Sequence, residues 1–198
     1  VRRERFVRAI VQTLLLERAN HQGPVRSADI PFWLTEGLTR HLLSSHPREL
    51  ILTNPRWKLR GLELNPVVLD ERRRDPLELA REELRQSPAL SLEKLSWPGA
   101  QDLTGDAGEV FGNSAQLFVG ELLRMPGGRA CFRALLDELA GCYNWQTAFF
   151  RAFHPHFGRQ VDLEKWWALQ VVHFTGRDPA QTWSSEESWN KLDELLRT

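Results

Sequence analysis

Apolar residues recur at helical rather than strand spacing along most of this chain. Over residues 2–20, Phe6, Ile10, Thr13, Leu14 and Glu17 form one stripe, with Val7, Val11 and Leu15 beside it. So wide an apolar face predicts a helix buried in the middle of a domain. A polar loop over 21–28 ends it. A second helix has Asp29 near its start, takes Pro31 into its first turn and runs to about Ser45, where His46-Pro47 closes it. Residues 48–74 break the pattern. Leu50-Ile51-Leu52 and Val67-Val68-Leu69 read as short strands or extended segments, with turns at Asn54-Pro55 and Asn65-Pro66. A stretch this irregular fits a loop laid over the body of a domain.

Helical signals then resume. Asp75-Pro76-Leu77-Glu78 combines a capping aspartate, a proline at the first helical position and an acid in the first turn, and predicts a helix to about Gln86. Residues 91–95 read as one short turn of helix and 97–105 as a loop. A long helix follows over 106–125, with Val110, Phe111, Ser114, Leu117, Phe118, Glu121 and Leu122 at helical spacing. Past Pro126-Gly127-Gly128, Cys131, Phe132, Leu135, Leu136 and Leu139 give residues 129–140 an amphipathic face. Asn144 caps a helix through Phe153, Asp162 caps another, and Ser184 or Ser185 opens the last, with Glu187 in its first turn. No internal repeat occurs. The predicted fold class is all-α, a single multi-helix domain over 1–198 with an irregular middle.

Composition narrows the functional classes. The chain has 198 residues, enough for a core of its own, and 26 basic residues balance 26 acidic ones. No net electrostatic pull toward nucleic acid or an anionic membrane results. Arg8, Arg18 and the Arg72-Arg73-Arg74 run are local basic spots that read as a solvated face or loop rather than a binding patch. No apolar run approaches the roughly 18 residues of a membrane span. Cys131 and Cys142, eleven apart near a helix and its end, make no disulfide framework; a bridge between them stays open, with buried free thiols the plainer reading. Of eight tryptophans, Trp33, Trp145, Trp166, Trp167 and Trp189 fall where helices should meet, which makes them core candidates. The chain begins at Val1 inside a helical pattern, as a piece of a longer protein would. An upstream leader, and with it an extracytoplasmic location, therefore stays open, and the compartment is not legible.

The most specific chemical signal is Ile30-Pro31-Phe32-Trp33-Leu34-Thr35-Glu36-Gly37-Leu38-Thr39-Arg40. A Pro-x-Trp-Leu-x-Glu-Gly-Leu segment resembles the second signature of gluzincin-type zinc peptidases, the peptidase MA-like domains. In that family the glutamate before the glycine is the third zinc ligand, and a His-Glu-x-x-His helix roughly twenty residues upstream supplies the first two and the general base. The order of later segments is also similar: Phe111 to Ser114 to Leu117, then Gly127-Gly128, Leu135 to Leu139, Asn144-Trp145 and Asp162 to Trp167. The resemblance implies a helical catalytic scaffold, preceded in the family by a β-sheet subdomain that would lie before Val1.

The zinc helix is where this chain departs from the family. The alignment puts Gln12 and Leu16 at the two histidine positions and Thr13 at the base; a one-residue slip puts Val11, Leu15 and Gln12 there. Leucine binds no zinc in either register, and Glu36 alone does not reach the three or so protein ligands a catalytic site needs. Glu17 and His21 share i, i+4 spacing, but His21 falls at the helix end. His41 should point away from Glu36, and His46, His154, His156 and His173 are scattered. Phe111 stands where active relatives carry an oxyanion donor. The resemblance therefore implies a non-catalytic pseudo-peptidase needing no cofactor or metal. Gln12, Thr13, Leu16 and Glu36 would be vestigial, and the old cleft, with Trp33, Arg40, Phe111 and Ser114 beside it, would bind a peptide or protein. A buried Glu36 then needs a polar partner, and Gln12 or Arg40 is expected to supply it. A plain reading of the same segment makes Gly37 a site of close helix approach. An active zinc hydrolase with other ligands and a purely structural helical domain stand as alternatives.

Overall fold

The computed structural model describes residues 3–21, 23, 26–45, 57–59, 62–64, 76–176, 189, 190 and 193. Among these the chain is all-α in class, with helices α1 (Arg3–Asn20), α2 (Phe32–Ser45), α3 (Pro76–Gln86), α4 (Leu92–Ser96), α5 (Gly105–Arg124), α6 (Gly128–Leu139), α7 (Trp145–Ala152) and α8 (Gln160–Thr175). A 3-10 turn, Ala100–Leu103, leads into α5. One small hairpin joins β1 (Trp57–Leu59) to β2 (Leu62–Leu64), antiparallel, with Lys58 opposite Glu63. The strands expected at 50–52 and 67–69, the turns at Asn54-Pro55 and Asn65-Pro66, the Asp75 cap, the Arg72–Arg74 run and the opening of the last helix at Ser184 or Ser185 all lie outside the described residues.

The long helix α5 is the axis of the fold. Its residues Phe111 to Gly120 and Leu122 are all buried, because α2, α3, α4, α6 and α8 each pack against it. The tightest of these contacts is with α2, and Gly37 makes it so. A Cβ on Gly37 would run into the Ala115 carbonyl and come within 2.6 Å of Val119 Cγ2, so only a glycine lets the two backbones meet. One turn earlier on α2, Trp33 is 1 % exposed and heads an aromatic cluster. Its ring meets Phe118 edge-on at 5.0 Å and Trp145 at 5.5 Å. Phe118 in turn meets Trp167 at 5.3 Å, and Phe149 stacks on Phe153 at 4.5 Å. Edge-to-face and offset pairs at these distances suit the ring quadrupoles and bury a large apolar area per residue.

The first helix differs from its expectation. It buries only Val7, Val11, Leu15 and Ala19, a single row at i, i+4 spacing, against α2 and α6. Phe6, Ile10 and Leu14, one position around the helix, are 42 %, 43 % and 58 % exposed. Thus α1 flanks the domain instead of running through its middle. Periodicity alone fixes the helix, but it does not choose between two adjacent apolar rows.

Capping follows the sequence with small shifts. Asn144 Oδ1 accepts from Thr147 N–H at 2.9 Å and Ser91 Oγ from Lys94 N–H at 3.4 Å, satisfying otherwise orphaned donors. Pro31 stays outside α2, and its carbonyl accepts from Leu34 N–H at 3.0 Å. Asp162 is an interior residue of α8, not its cap; its carboxylate reaches back to Arg159 N–H at 3.1 Å. Trp33, Trp145 and Trp167 are buried, as their helical spacing predicts, whereas Trp189 is an exposed exception.

Because the Gly37 contact involves backbone, neighbouring side chains have no rotamer that relieves it. Gly37→Ala should cost about 1–3 kcal/mol of stability, the range for overpacking a close-packed interior. Urea unfolding of the variant against the native protein measures this directly, and an unchanged midpoint would show that α2 and α5 can separate freely.

Candidate functional site

A cleft of about 510 Å³ opens between α1 and α2, floored by the N-terminal half of α5 and edged by residues 28–30 and Leu103. Gln12 and Leu16 line it from α1, and Glu36 and Arg40 line it from α2. Three of the positions singled out in the sequence, Gln12, Leu16 and Glu36, therefore share one cavity. The slipped register does not: Val11 and Leu15 are both 7 % exposed and belong to the core on another side of α1. Thr13 turns away, its hydroxyl donating to the Ala9 carbonyl at 2.9 Å.

Glu36 is the centre of an ion-pair network. Its side chain is only 12 % exposed, and each carboxylate oxygen is held by a different arginine. Arg8 Nη2 forms an ion pair with Oε2 at 2.7 Å, and Arg40 Nε donates to Oε1 at 2.9 Å. Arg8 is one helical turn before Gln12, so Arg8, Gln12 and Leu16 form a single row along the cleft wall. Arg40 reaches further. Its Nη1 donates to Asn113 Oδ1 at 3.0 Å and its Nη2 pairs with Glu109 Oε2 at 2.9 Å, with Glu4 Oε1 at 3.9 Å. Asn113 passes the chain on to Glu83 of α3 through its amide nitrogen. Burial works against the charged form of Arg40, but the hydrogen bond to Glu36 and the charges of Glu109 and Glu36 outweigh it and leave its pKa above the usual value. Arg40 therefore stays a cation at every physiological pH.

A second glycine makes room for that guanidinium. Arg40 lies across α5 at Gly112, where any Cβ would collide with Nε, Cζ and Nη2 of Arg40. Phe111, beside it, is 2 % exposed and joins the apolar floor of the cleft. Two residues expected beside the cleft are elsewhere. Trp33 belongs to the aromatic core. Ser114 is fully buried; its hydroxyl donates to Val110 O at 2.7 Å and accepts from Leu90 N–H at 3.1 Å. With Trp167 Nε1 donating to Leu90 O at 2.9 Å, Ser114 pins the loop after α3. The partner expected for Glu36 is Arg40, joined by Arg8, while Gln12 makes no hydrogen bond to it.

His21 and His41 serve other contacts. His21 folds back on Arg18, its Nδ1 lying 2.8 Å from the Arg18 carbonyl, and His41 rests over Gly120. Among the described residues no three His, Cys, Asp or Glu side chains converge as a ligand set. Cys131 and Cys142 are free thiols, the second only partly buried. Sequence reasoning passed over Glu4 and Glu109 in the cleft and Gly112 beneath Arg40, and it read Arg8 as a solvated basic spot, whereas Arg8 lines the cleft and pairs with Glu36. For Arg8 a signal existed, its place four residues before Gln12; for Glu109 none did, since only the fold brings α5 to α2.

Compared with models of known protein families, with curated proteins and with solved structures, the chain matches none of them.

The Glu36–Arg40 pair is largely desolvated, so its members should be energetically coupled. Glu36→Ala should destabilise by about 3 kcal/mol, because it leaves two guanidiniums without their shared acceptor. The Glu36→Ala, Arg40→Ala double-mutant cycle should return a coupling of about 1–3 kcal/mol in urea unfolding. Strict additivity would mean that the pair contributes nothing. Gly112→Ala should break the same network from the α5 side, and its cost should shrink when Arg40 is already alanine.

Proposed function

We propose that this chain is a non-catalytic, pseudo-peptidase-like domain on a gluzincin-like helical scaffold, and that its cleft binds a peptide or protein segment. The observation that carries the reading is Glu36: it lines an open cleft from α2 with each oxygen facing a guanidinium, one from Arg8 and one from Arg40. The Trp-Leu-x-Glu-Gly segment is what ties that position to a zinc ligand in the peptidases it resembles. In such enzymes the carboxylate meets a divalent cation together with two imidazoles. Here the positive charge opposite it comes from two arginines, and the row along α1 reads Arg8, Gln12, Leu16. A fixed cation at Arg8 repels Zn²⁺, and neither Leu16 nor Thr13 supplies a base for activating water.

What remains is a binding surface. The cleft carries an exposed aromatic, Phe32, at its lip, apolar residues Ile30, Leu103 and Phe111, and hydrogen-bonding groups on both walls. Its volume falls in the range of about 300–1,000 Å³ usual for ligand sites. No helix among the described residues is long and apolar enough to cross a membrane, and the balanced charge offers nothing to a polyanion.

Zinc titration followed by thermal unfolding tests the non-catalytic half of this reading. A ligand bound only by the folded state raises apparent stability, so the melting temperature should stay constant across zinc concentrations. Stoichiometric zinc with raised melting, lost in Glu36→Gln, would overturn the proposal in favour of a metallohydrolase with another ligand set.

A further inference from the structure

Of the large apolar side chains left exposed, only Phe6, Ile10 and Leu14 make an unbroken row on one helix among the described residues. On α8, Val161 and Leu169 share a row, but the exposed Lys165 falls between them. Ala9 and Thr13 widen the row on α1. Both are exposed, and the Thr13 hydroxyl is turned back to the Ala9 carbonyl. This side of α1 therefore presents Phe6, Ala9, Ile10, Thr13 and Leu14 to solvent with no charge among them. A contiguous apolar surface of this kind marks contact with another molecule, whereas single exposed apolar residues do not.

The row is separate from the cleft. Arg8, Gln12 and Leu16 line the cleft, and each follows a member of the row by two positions, about 200° around the helix. An occupant of the row would leave the cleft open, so the inference stands or falls apart from the groove reading above.

What fits the row is set by its symmetry. Phe6 and Leu14 stand four residues to either side of Ile10, and Arg3 and Glu17 stand seven to either side with opposite charge. A second copy of α1, turned end for end about a two-fold axis at Ile10, presents the same order in reverse. Each residue then lies level with the one equally far beyond Ile10 on the other copy. The row is thus complementary to itself in both apolar position and sign of charge, as an isologous interface requires. A parallel arrangement would instead set like charges level at both ends. Glu17 is exposed and makes no ion pair among the described residues. Nor do whole molecules repel one another, since 26 basic residues balance 26 acidic ones.

We propose that two copies of this chain associate through their α1 helices, packed antiparallel about Ile10. Phe6 then lies beside the partner's Leu14, and Arg3 pairs with the partner's Glu17. One face of one helix is a small interface, well below the roughly 1,200 Å² of stable complexes, so the dimer is a weak one.

Sedimentation equilibrium of the whole chain at low salt tests this. Monomer at about 10 µM should give way to dimer at about 1 mM, with a dissociation constant on the order of 100 µM. Ile10→Lys sets two ammonium groups on the two-fold axis and should raise that constant at least about tenfold. The site is exposed and lysine is a good helix former, so the variant keeps its fold. Arg3→Glu and Glu17→Arg each suit the dipole of α1 at their own end, yet each should weaken self-association about threefold to tenfold. An equimolar mixture of the two should recover the lost affinity, because each chain carries the charges that the other needs. A monomer across the whole range would overturn the proposal. So would a dimer indifferent to Ile10→Lys, whose contact would lie on another face. A mixture no tighter than its components would overturn the antiparallel register.

Discussion

The contact between α2 and α5 at Gly37 governs the rest of the molecule. By removing one side chain, the sequence brings two helix backbones together, and everything else on α2 is then placed by its angle from that point. Trp33, one turn before, is driven into the aromatic cluster; Thr39 is buried with its hydroxyl returned to Thr35 O at 2.7 Å. Glu36 and Arg40, on the adjoining edge, are held at the shoulder of the interface, where a side chain is mostly desolvated yet still borders the cleft. A looser interface would leave both in water, where an i, i+4 pair contributes only a few tenths of a kcal/mol.

Why a core this apolar tolerates charges follows from their connectivity. An isolated buried cation is expensive, and burial does oppose the charge on Arg40. The opposition is met by hydrogen bonds on Nε, Nη1 and Nη2, made to residues of α2 and α5 and extended through Asn113 to α3. Such a network rigidifies when it is complete and is costly when one member is removed. It also fixes the width of the cleft, since Arg8 ties α1 to the same carboxylate.

Much of this was legible in the sequence, and the failures have specific causes. The helices follow from apolar spacing and from caps such as Asn144. Gly37 was readable as a close approach because it follows an aromatic anchor within one helix. The ion pair of Glu36 with Arg40 follows from their i, i+4 spacing. The exposure of Phe6, Ile10 and Leu14 was not readable, since the choice between neighbouring rows depends on where α2 and α6 lie. Ser114 and Glu109 were misjudged or missed for the same reason. Which side of α5 meets the loop at Leu90, and which meets Arg40, is a property of the assembled fold.

The single buried row on α1 has a dynamic consequence. Four small or medium residues, Val7, Val11, Leu15 and Ala19, are all the apolar surface that this helix buries deeply, against eleven buried positions on α5. Ionic clasps also fasten it, among them Arg8 to Glu36, Glu4 to Arg40 and Arg18 to Asp137, the last 2.7 Å long and near the surface. Free energies of local opening follow buried contact, so α1 is the wall of the cleft that swings out first. Its backbone amides would exchange with solvent well ahead of those of α5, and the cavity beside it would widen by the detachment of one helix while the aromatic centre stays closed.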